Sequence, residues 1–265
     1  SYYEGLTSYP AARCVRILNP LSADLNVMRQ TLLFNTMEAV QLNANRRNGN
    51  LRLYEFGNCY FYDEAARDAE KPLSAYSEQY RLAIAVTGAA VPQSWNAKPQ
   101  ASSFFTLRAV AEKLLRRFGL DIYALKCDPL QSDLFGDGIS LSAGNGRELL
   151  QMGVVAPRIR RAFDLKQEVY YLEMNFDALV KSTRKHRIAF EELSKFPEVK
   201  RDLALLVDRQ VTFAQLRAIA LATERKLLKS VSLFDVYEGD KLPEGKKSYA
   251  LSFVLEDKSQ TLTDK

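Results

Sequence analysis

The sequence predicts an α+β protein of two domains, each organised around an antiparallel sheet. Strand candidates come in runs with helices set between them, not in regular βαβ alternation, and the pattern starts afresh after a basic stretch at 181–201. The 265 residues also exceed the size at which a single hydrophobic core is commonest. A content of 47% apolar and 26% charged residues is that of an ordinary globular chain. The longest apolar runs, such as 82–86, are too short to span a bilayer, and no basic segment followed by an apolar one opens the chain. Neither a membrane span nor a secretory signal is expected. Cys14, Cys59 and Cys127 are odd in number and far apart, so no disulfide framework or zinc knuckle is expected and a reducing cytoplasm is the simple reading. A lone histidine, His186, leaves no histidine pair for a zinc site or a two-histidine acid/base scheme.

In chain order, 13–18 reads as a short β-prone run ending at Asn19-Pro20. Ser22 or Asp24 can cap a helix over 24–40, since Leu25, Met28, Leu32, Leu33, Thr36 and Val40 recur at spacings of three and four. Strands are expected at 51–62 and 79–87. A helix over 105–118 carries Leu107, Val110, Leu114 and Leu115 on one side and ends on Arg116 and Arg117 before Gly119. Short strands follow at 121–126, 138–142, 148–155 and 168–175. Residues 1–180 thus form the first domain, 181–192 a basic linker, and 193–265 the second domain. There a strand at 201–208, a helix capped by Thr212 and running to Thr223 with Leu216, Ile219 and Ala220 as its stripe, and strands at 231–237 and 248–256 follow in β-α-β-β order. That order is the first two thirds of a split βαβ, ferredoxin-like unit, so the domain is expected to be truncated at its C-terminus.

A net charge of +5 from 37 basic and 32 acidic residues is too balanced for a protein that coats nucleic acid by charge alone, so any RNA contact must be local. By its charge run alone, 181–201 reads as a solvated linker. His186 sits among Arg184, Lys185 and Arg187, which disfavour an imidazolium and offer no carboxylate to orient the ring; it reads as a linker histidine. On the strand 231–237 the period of two places Phe234 and Val236 under the helix, and Leu233, Asp235 and Tyr237 on the opposite face. A ring and a carboxylate on the open face of such a sheet are what RNA-recognition modules use to stack unpaired bases. The plain alternative is that Tyr237 closes a turn and Asp235 pairs with a lysine. Ser248 opens the neighbouring strand with a hydroxyl that donates or accepts, and Lys246 and Lys247 beside it can meet phosphate.

These residues carry a resemblance. Asn19-Pro20-Leu21-Ser22, Met28-Arg29, Leu32-Leu33 and Leu53-Tyr54-Glu55-Phe56-Gly57 resemble the synthetase-like region of the β subunit of bacterial phenylalanine–tRNA ligases. Phe196-Pro197-x-Val199-x-Arg201-Asp202-Leu203-Ala204, Leu233-Phe234-Asp235-Val236-Tyr237-Glu238-Gly239, Gly245-Lys246-Lys247-Ser248 and Thr261-Leu262-Thr263-Asp264 resemble, in order and spacing, the ferredoxin-fold anticodon-binding domain of that subunit. One departure is Asp128-Pro129-Leu130, which stands where the family usually has a His-Pro-Gly step.

The resemblance implies a noncatalytic class II synthetase-like domain of antiparallel sheet followed by the anticodon-binding domain. It also implies a catalytic α subunit as partner in an α2β2 tetramer, phenylalanine tRNA as ligand, and ATP and Mg2+ in the holoenzyme but no cofactor or metal in this segment. No catalytic residue is expected. The phosphate-binding arginines of class II sites have no counterpart: Gly144-Asn145-Gly146-Arg147-Glu148 reads as a hairpin turn, and Arg52 and Glu55 are wrongly arranged. By resemblance Asp235, Tyr237 and Ser248 hold the first anticodon base, with Arg201 a weaker candidate. Met28, Leu32 and Met37, which periodicity alone reads as core, become subunit-interface residues. Two rivals stay open: a self-sufficient ligase, and a general RNA-binding or scaffold module without anticodon preference.

Overall fold

Leu51–Tyr62, rich in aromatic and aliphatic residues, forms one unbroken strand, β1, in the computed structural model, in register with β2 (Tyr76–Thr87) along its whole length. The structure describes residues 2–22, 25–184, 186–187, 189–190 and 192–263, and divides into two units, Ser1–Ile188 and Ala189–Lys265. In the first unit α1 (Leu33–Asn45) precedes β1. After β2 come the ribbon β3 (Ala89–Val91) and β4 (Gln100–Ala101), α2 (Phe104–Arg117), β5 (Lys126–Pro129), β6 (Phe135–Ser142), β7 (Glu148–Val155), α3 (Pro157–Ala162), β8 (Val169–Asn175) and α4 (Phe176–Thr183). The main sheet is antiparallel throughout, in the order β1-β2-β8-β7-β6-β5. Both faces of its centre are covered. Ala83, Ala85 and Tyr171 pack with Leu33, Met37 and Val40 of α1, whereas Leu82, Val86, Met152 and Leu172 pack with Leu107, Ala111 and Leu115 of α2. Fully burying a leucine contributes about 1.5–3 kcal/mol, so the α2 stripe, held by a capping box of Ser103 and Thr106, anchors that layer.

The helix expected over 24–40 starts nine residues later. Residues 25–32 have the helical spacing, yet long-range hydrogen bonds hold them in an irregular path. Arg16 and Val27 form a β-bridge, the Gln30 amide donates to the Tyr3 hydroxyl at 2.8 Å, and Thr31 Oγ1 and the Leu32 amide donate to the Glu173 carboxylate at 2.6 and 3.0 Å. Ser22 therefore caps no helix, and Asp24 lies outside the described residues. That bridge is also all that remains of the strand expected at 13–18. Glu173 on β8 takes the place of the local cap: its charge stands at the N-terminus of α1, where the helix dipole favours it. Leu32 and Met37 are 0% exposed and their side chains fill this core, which corrects their reading as partner-facing residues, whereas Met28 is half-buried; the exposed apolar residue of α1 is Leu42.

Residues 121–126, expected as a strand, contain a 3-10 turn, Ile122–Ala124, because the Asp121 carboxylate accepts from the Tyr123 amide. The short helices α3 and α4 were not foreseen. α3 has Pro157 at its first turn, and Asn175 caps α4 by accepting from the Ala178 amide at 2.9 Å.

The second unit follows the expected β-α-β-β order: β9 (Val199–Asp208), α5 (Phe213–Thr223), β10 (Leu228–Tyr237) and β11 (Lys246–Leu255), with β11 central in an antiparallel β10-β11-β9 sheet. Thr212 and Gln215 form a capping box at α5. Its half-buried residues are Phe213, Leu216, Arg217, Ala220 and Leu221, not Ile219, which is largely exposed; the helix is rotated by about one residue from the expected stripe.

Candidate nucleic-acid interface

A β-bulge decides which side chains of β10 share a face. Its register against β11 runs Val231 to Phe253, Leu233 to Leu251, then Asp235 to Ala250 and Tyr237 to Ser248, leaving Phe234 as the extra residue. The bulge shifts the alternation by one. Val231, Leu233 and Val236 fall on the face of Tyr249 and Leu251, which is the α5 side, since the Tyr249 hydroxyl donates to the Val211 carbonyl just before that helix. Asp235 and Tyr237 fall on the opposite face with Ser248 and Ala250. The expected grouping of Leu233 with Asp235 and Tyr237 is thus corrected, as is the placement of Phe234 and Val236 together under the helix. Phe234 is 58% exposed, and the Lys200 ammonium lies 6.0 Å from its ring centroid. Lys200 sits opposite Val254, on the face of Ser248, so the Phe234 ring shares the open face.

On that face Tyr237 and Ser248 are direct cross-strand partners, and Asp235 is exposed, with no ion pair or side-chain hydrogen bond among the described residues. The Tyr237 ring rests on Gly239: a Cβ at position 239 would stand 2.6 Å from the tyrosine hydroxyl oxygen and 2.7 Å from the carbon that bears it. The missing side chain at Gly239 thus leaves the room in which the tyrosine ring lies, a feature the sequence motif did not reveal. Gly239→Ala is expected to displace the tyrosine ring and weaken RNA binding severalfold while leaving the thermal unfolding midpoint within about 2 °C, because the ring is a movable side chain end; wild-type affinity in a titration would show that the ring is not needed in this place.

Of the cations expected beside these residues, only Lys246 stands on the same face, paired with Asp208 at 2.7 Å. Lys247 belongs to the α5 side: it is buried, and its ammonium lies 4.6 Å from the Tyr249 ring centroid, where it makes a cation–π contact instead of awaiting phosphate. Arg201 pairs with Phe253 in the register and so also falls on the α5 side, with its guanidinium donating to the Lys200 carbonyl at 3.2 Å. Alternation from Ser248 separates both from Asp235 and Tyr237.

In the first unit two of the motifs, Met28-Arg29 and Leu53 to Gly57, meet each other. Arg29 donates to the Glu55 carboxylate at 2.6 Å and to the Asn58 carbonyl at 3.0 Å, and its guanidinium occupies the space a Cβ at Gly57 would need. Met28-Arg29 and Glu55-Phe56-Gly57 are thus two halves of one clasp between the segment before α1 and β1. Arg52, on the other face of β1, donates to the Ala90 carbonyl at 2.7 Å. Gly144 to Arg147 is a hairpin turn closed by the Ala143 amide on the Arg147 carbonyl, with Gly146 at φ +78°. His186 is exposed and its amide donates to the Thr183 carbonyl; its ring lies against Gly119, leaving no room there for a Cβ.

Among the described residues no three His, Cys, Asp or Glu side chains gather closely enough to hold a metal ion, so the magnesium expected for the holoenzyme has no fitting donor set in them. The three cysteines are free, and burial pushes the Cys59 thiol up to about 12, which leaves it unreactive. No helix among the described residues is long and apolar enough to cross a membrane.

Two family models match the chain: the phenylalanyl tRNA synthetase beta chain CLM domain over residues 2–176, and the ferredoxin-fold anticodon binding domain over residues 194–265. Among curated proteins, the phenylalanine–tRNA ligase beta subunit of Bacteroides fragilis is 49% identical over the whole chain, and that of Porphyromonas gingivalis 43%. The same subunit of Fusobacterium nucleatum is 31% identical over 94% of the chain. The chain spans 30–32% of the length of these relatives. Among solved structures, a pyrrolysyl tRNA synthetase from Desulfitobacterium hafniense aligns with a TM-score of 0.46 at 16% identity, covering 65% of this chain and 54% of that one.

Proposed function

Because the chain belongs to the phenylalanyl-tRNA synthetase β-chain family, we propose that it is the part of a phenylalanine–tRNA ligase β subunit that reads the tRNA anticodon and supports a catalytic partner subunit, without doing the chemistry itself. The observation that carries this reading is the open face of the second unit. There an exposed carboxylate, Asp235, stands beside Tyr237 and Ser248, in the part of the chain matched by an anticodon-binding family model. Asp235 accepts from the polar edge of a base, Tyr237 stacks on it, and Ser248 donates or accepts beside them. The holoenzyme is an α2β2 assembly in the cytoplasm that uses ATP and Mg2+, both held outside the residues described above. The surface that meets the catalytic subunit lies on exposed apolar residues near α1, such as Leu25 and Leu42, since Leu32 and Met37 are enclosed.

Two measurements test the reading. Phenylalanine-dependent exchange of pyrophosphate into ATP is expected to be absent from this chain alone; exchange would show a self-sufficient ligase. Affinity for phenylalanine tRNA is expected to fall when its anticodon is changed, whereas equal affinity would show a general RNA-binding module.

Salt dependence gives an independent check on the placement of the face. Lys246 and Lys200 stand on it, and a single-stranded contact contributes about −0.7 to the slope of log affinity against log salt, so a slope of about −1.4 is expected from these two. A slope several times steeper would mean that the other cations of the basic stretch 181–201 are main RNA contacts.

A further inference from the structure

We propose that Phe234 is a second base-stacking residue, which takes the unpaired nucleotide next to the one held by Asp235, Tyr237 and Ser248. This deepens the anticodon reading and rests on it. The β-bulge leaves Phe234 without a cross-strand partner and turns its ring onto the open face, although simple alternation would have hidden it under α5. At 58% exposure its ring does not belong to the core of this unit, whose buried side chains include Val231, Tyr249 and Leu251. What lies against it is Lys200, an exposed cation 6.0 Å from the ring centroid, whose other near partner is Asp202 at 4.0 Å. A base has the same use for a ring face as that ammonium has, and a lysine lifted from the ring stands beside the incoming nucleotide's phosphate.

A second observation lies in the floor of the same face. Ser252, in register with Ser232 and Asp202, is 2% exposed, and its hydroxyl has no hydrogen-bond partner among the described residues. A buried hydroxyl without a partner is costly and uncommon in a folded protein, and a base on this face would supply one only by displacing the side chains that cover it. Tyr237 and Phe234 lie on one strand three residues apart, and two rings on a sheet face are the arrangement by which modules of this shape stack successive bases.

The test uses the complete β subunit assembled with its catalytic partner, and equilibrium binding of phenylalanine tRNA transcripts with a single abasic nucleotide at each anticodon position in turn. Phe234→Ala and Phe234→Leu are both expected to weaken binding on the order of 5- to 150-fold, and Phe234→Trp to restore it, because stacking needs a π face and not merely apolar volume. The abasic substitution next to the first anticodon base should weaken the wild type and cost Phe234→Leu nothing further, while that at the first base should still weaken both. Phe234→Leu keeps the apolar volume, so a loss of binding at an unchanged thermal midpoint is not a folding defect. Wild-type affinity in Phe234→Leu, or abasic losses that add to it at every position, overturns the inference. If in that case Asp235→Ala and Tyr237→Ala still weaken binding, the anticodon reading stands without Phe234; if those variants too bind like the wild type, the reading itself falls.

Discussion

Glu173→Ala is expected to destabilise the first unit by about 3–5 kcal/mol, the typical loss when one partner of a buried ion pair is removed. Glu173 and Arg81 form a pair whose side chains are 7% and 14% exposed. The carboxylate also accepts from Thr31 Oγ1, the Leu32 amide and, at 2.5 Å, the Tyr171 hydroxyl. Burial alone would lower the Arg81 pKa, but the charge of Glu173, with Tyr9 beside it, holds the guanidinium above the usual arginine range. Removing the carboxylate leaves that cation uncompensated and strips α1 of the anion at its N-terminus. In a unit of this size the midpoint should fall by about 6–20 °C. Glu173→Gln keeps an acceptor for the Leu32 amide and should lose less. The double variant Arg81→Met, Glu173→Leu should recover much of the loss, because the penalty comes from the stranded charge and not from any large net gain of the pair. A loss below about 1 kcal/mol for Glu173→Ala in denaturant unfolding would show that water reaches Arg81 and that the network is not what sets the start of α1.

The same network marks what sequence can disclose. β1 is legible to the residue because its run of strand-forming residues is bounded by Asn50 and Asp63, and α2 because Leu107 and Leu115 of its expected stripe lie within it, although Ala111 and not Val110 completes the buried face. The start of α1 is not, because the group that ends the irregular segment is a carboxylate more than 140 residues away, and the local apolar spacing of Leu25, Met28 and Leu32 points the other way. Tertiary hydrogen bonds outweighed a weak periodic preference. In the second unit one extra residue in β10 had a similar effect. A strict period of two groups Leu233 with Asp235 and Tyr237, and only cross-strand register shows that Phe234 is the residue left over. Asp235 and Tyr237 were grouped by alternation alone because both follow the bulge. Lys247 shows the opposite limit. Its neighbours in sequence mark it as a phosphate contact, but it lies inside β11, which begins at Lys246, and alternation along that strand turns it to the Tyr249 side.

Asp235→Ala is expected to erase the preference between guanine and adenine at the first anticodon position, while Tyr237→Ala should weaken all anticodon variants alike. The genetic code gives phenylalanine tRNA a guanine there, whose Watson–Crick edge offers two adjacent donors, N1–H and the N2 amino group. A carboxylate accepts from both; adenine instead presents an acceptor at N1 toward the same negative charge. A bidentate base contact of this kind discriminates by roughly 5- to 150-fold, and that factor is what the aspartate variant should lose. Stacking on Tyr237 works through the face of the ring, which every base shares, so its loss should lower each affinity by a similar factor on the order of 5- to 150-fold. Tyr237 pairs directly with Ser248 and Asp235 lies two residues before it on the same side of the bulge, so the two side chains share one face of the sheet. Asp235 has no ion pair among the described residues, so its carboxylate gives up no protein partner when it meets the base. Tetramer binding of four tRNAs that differ only at that position, measured for both variants, decides the matter: full guanine preference in Asp235→Ala would remove this face of β10 as the reader.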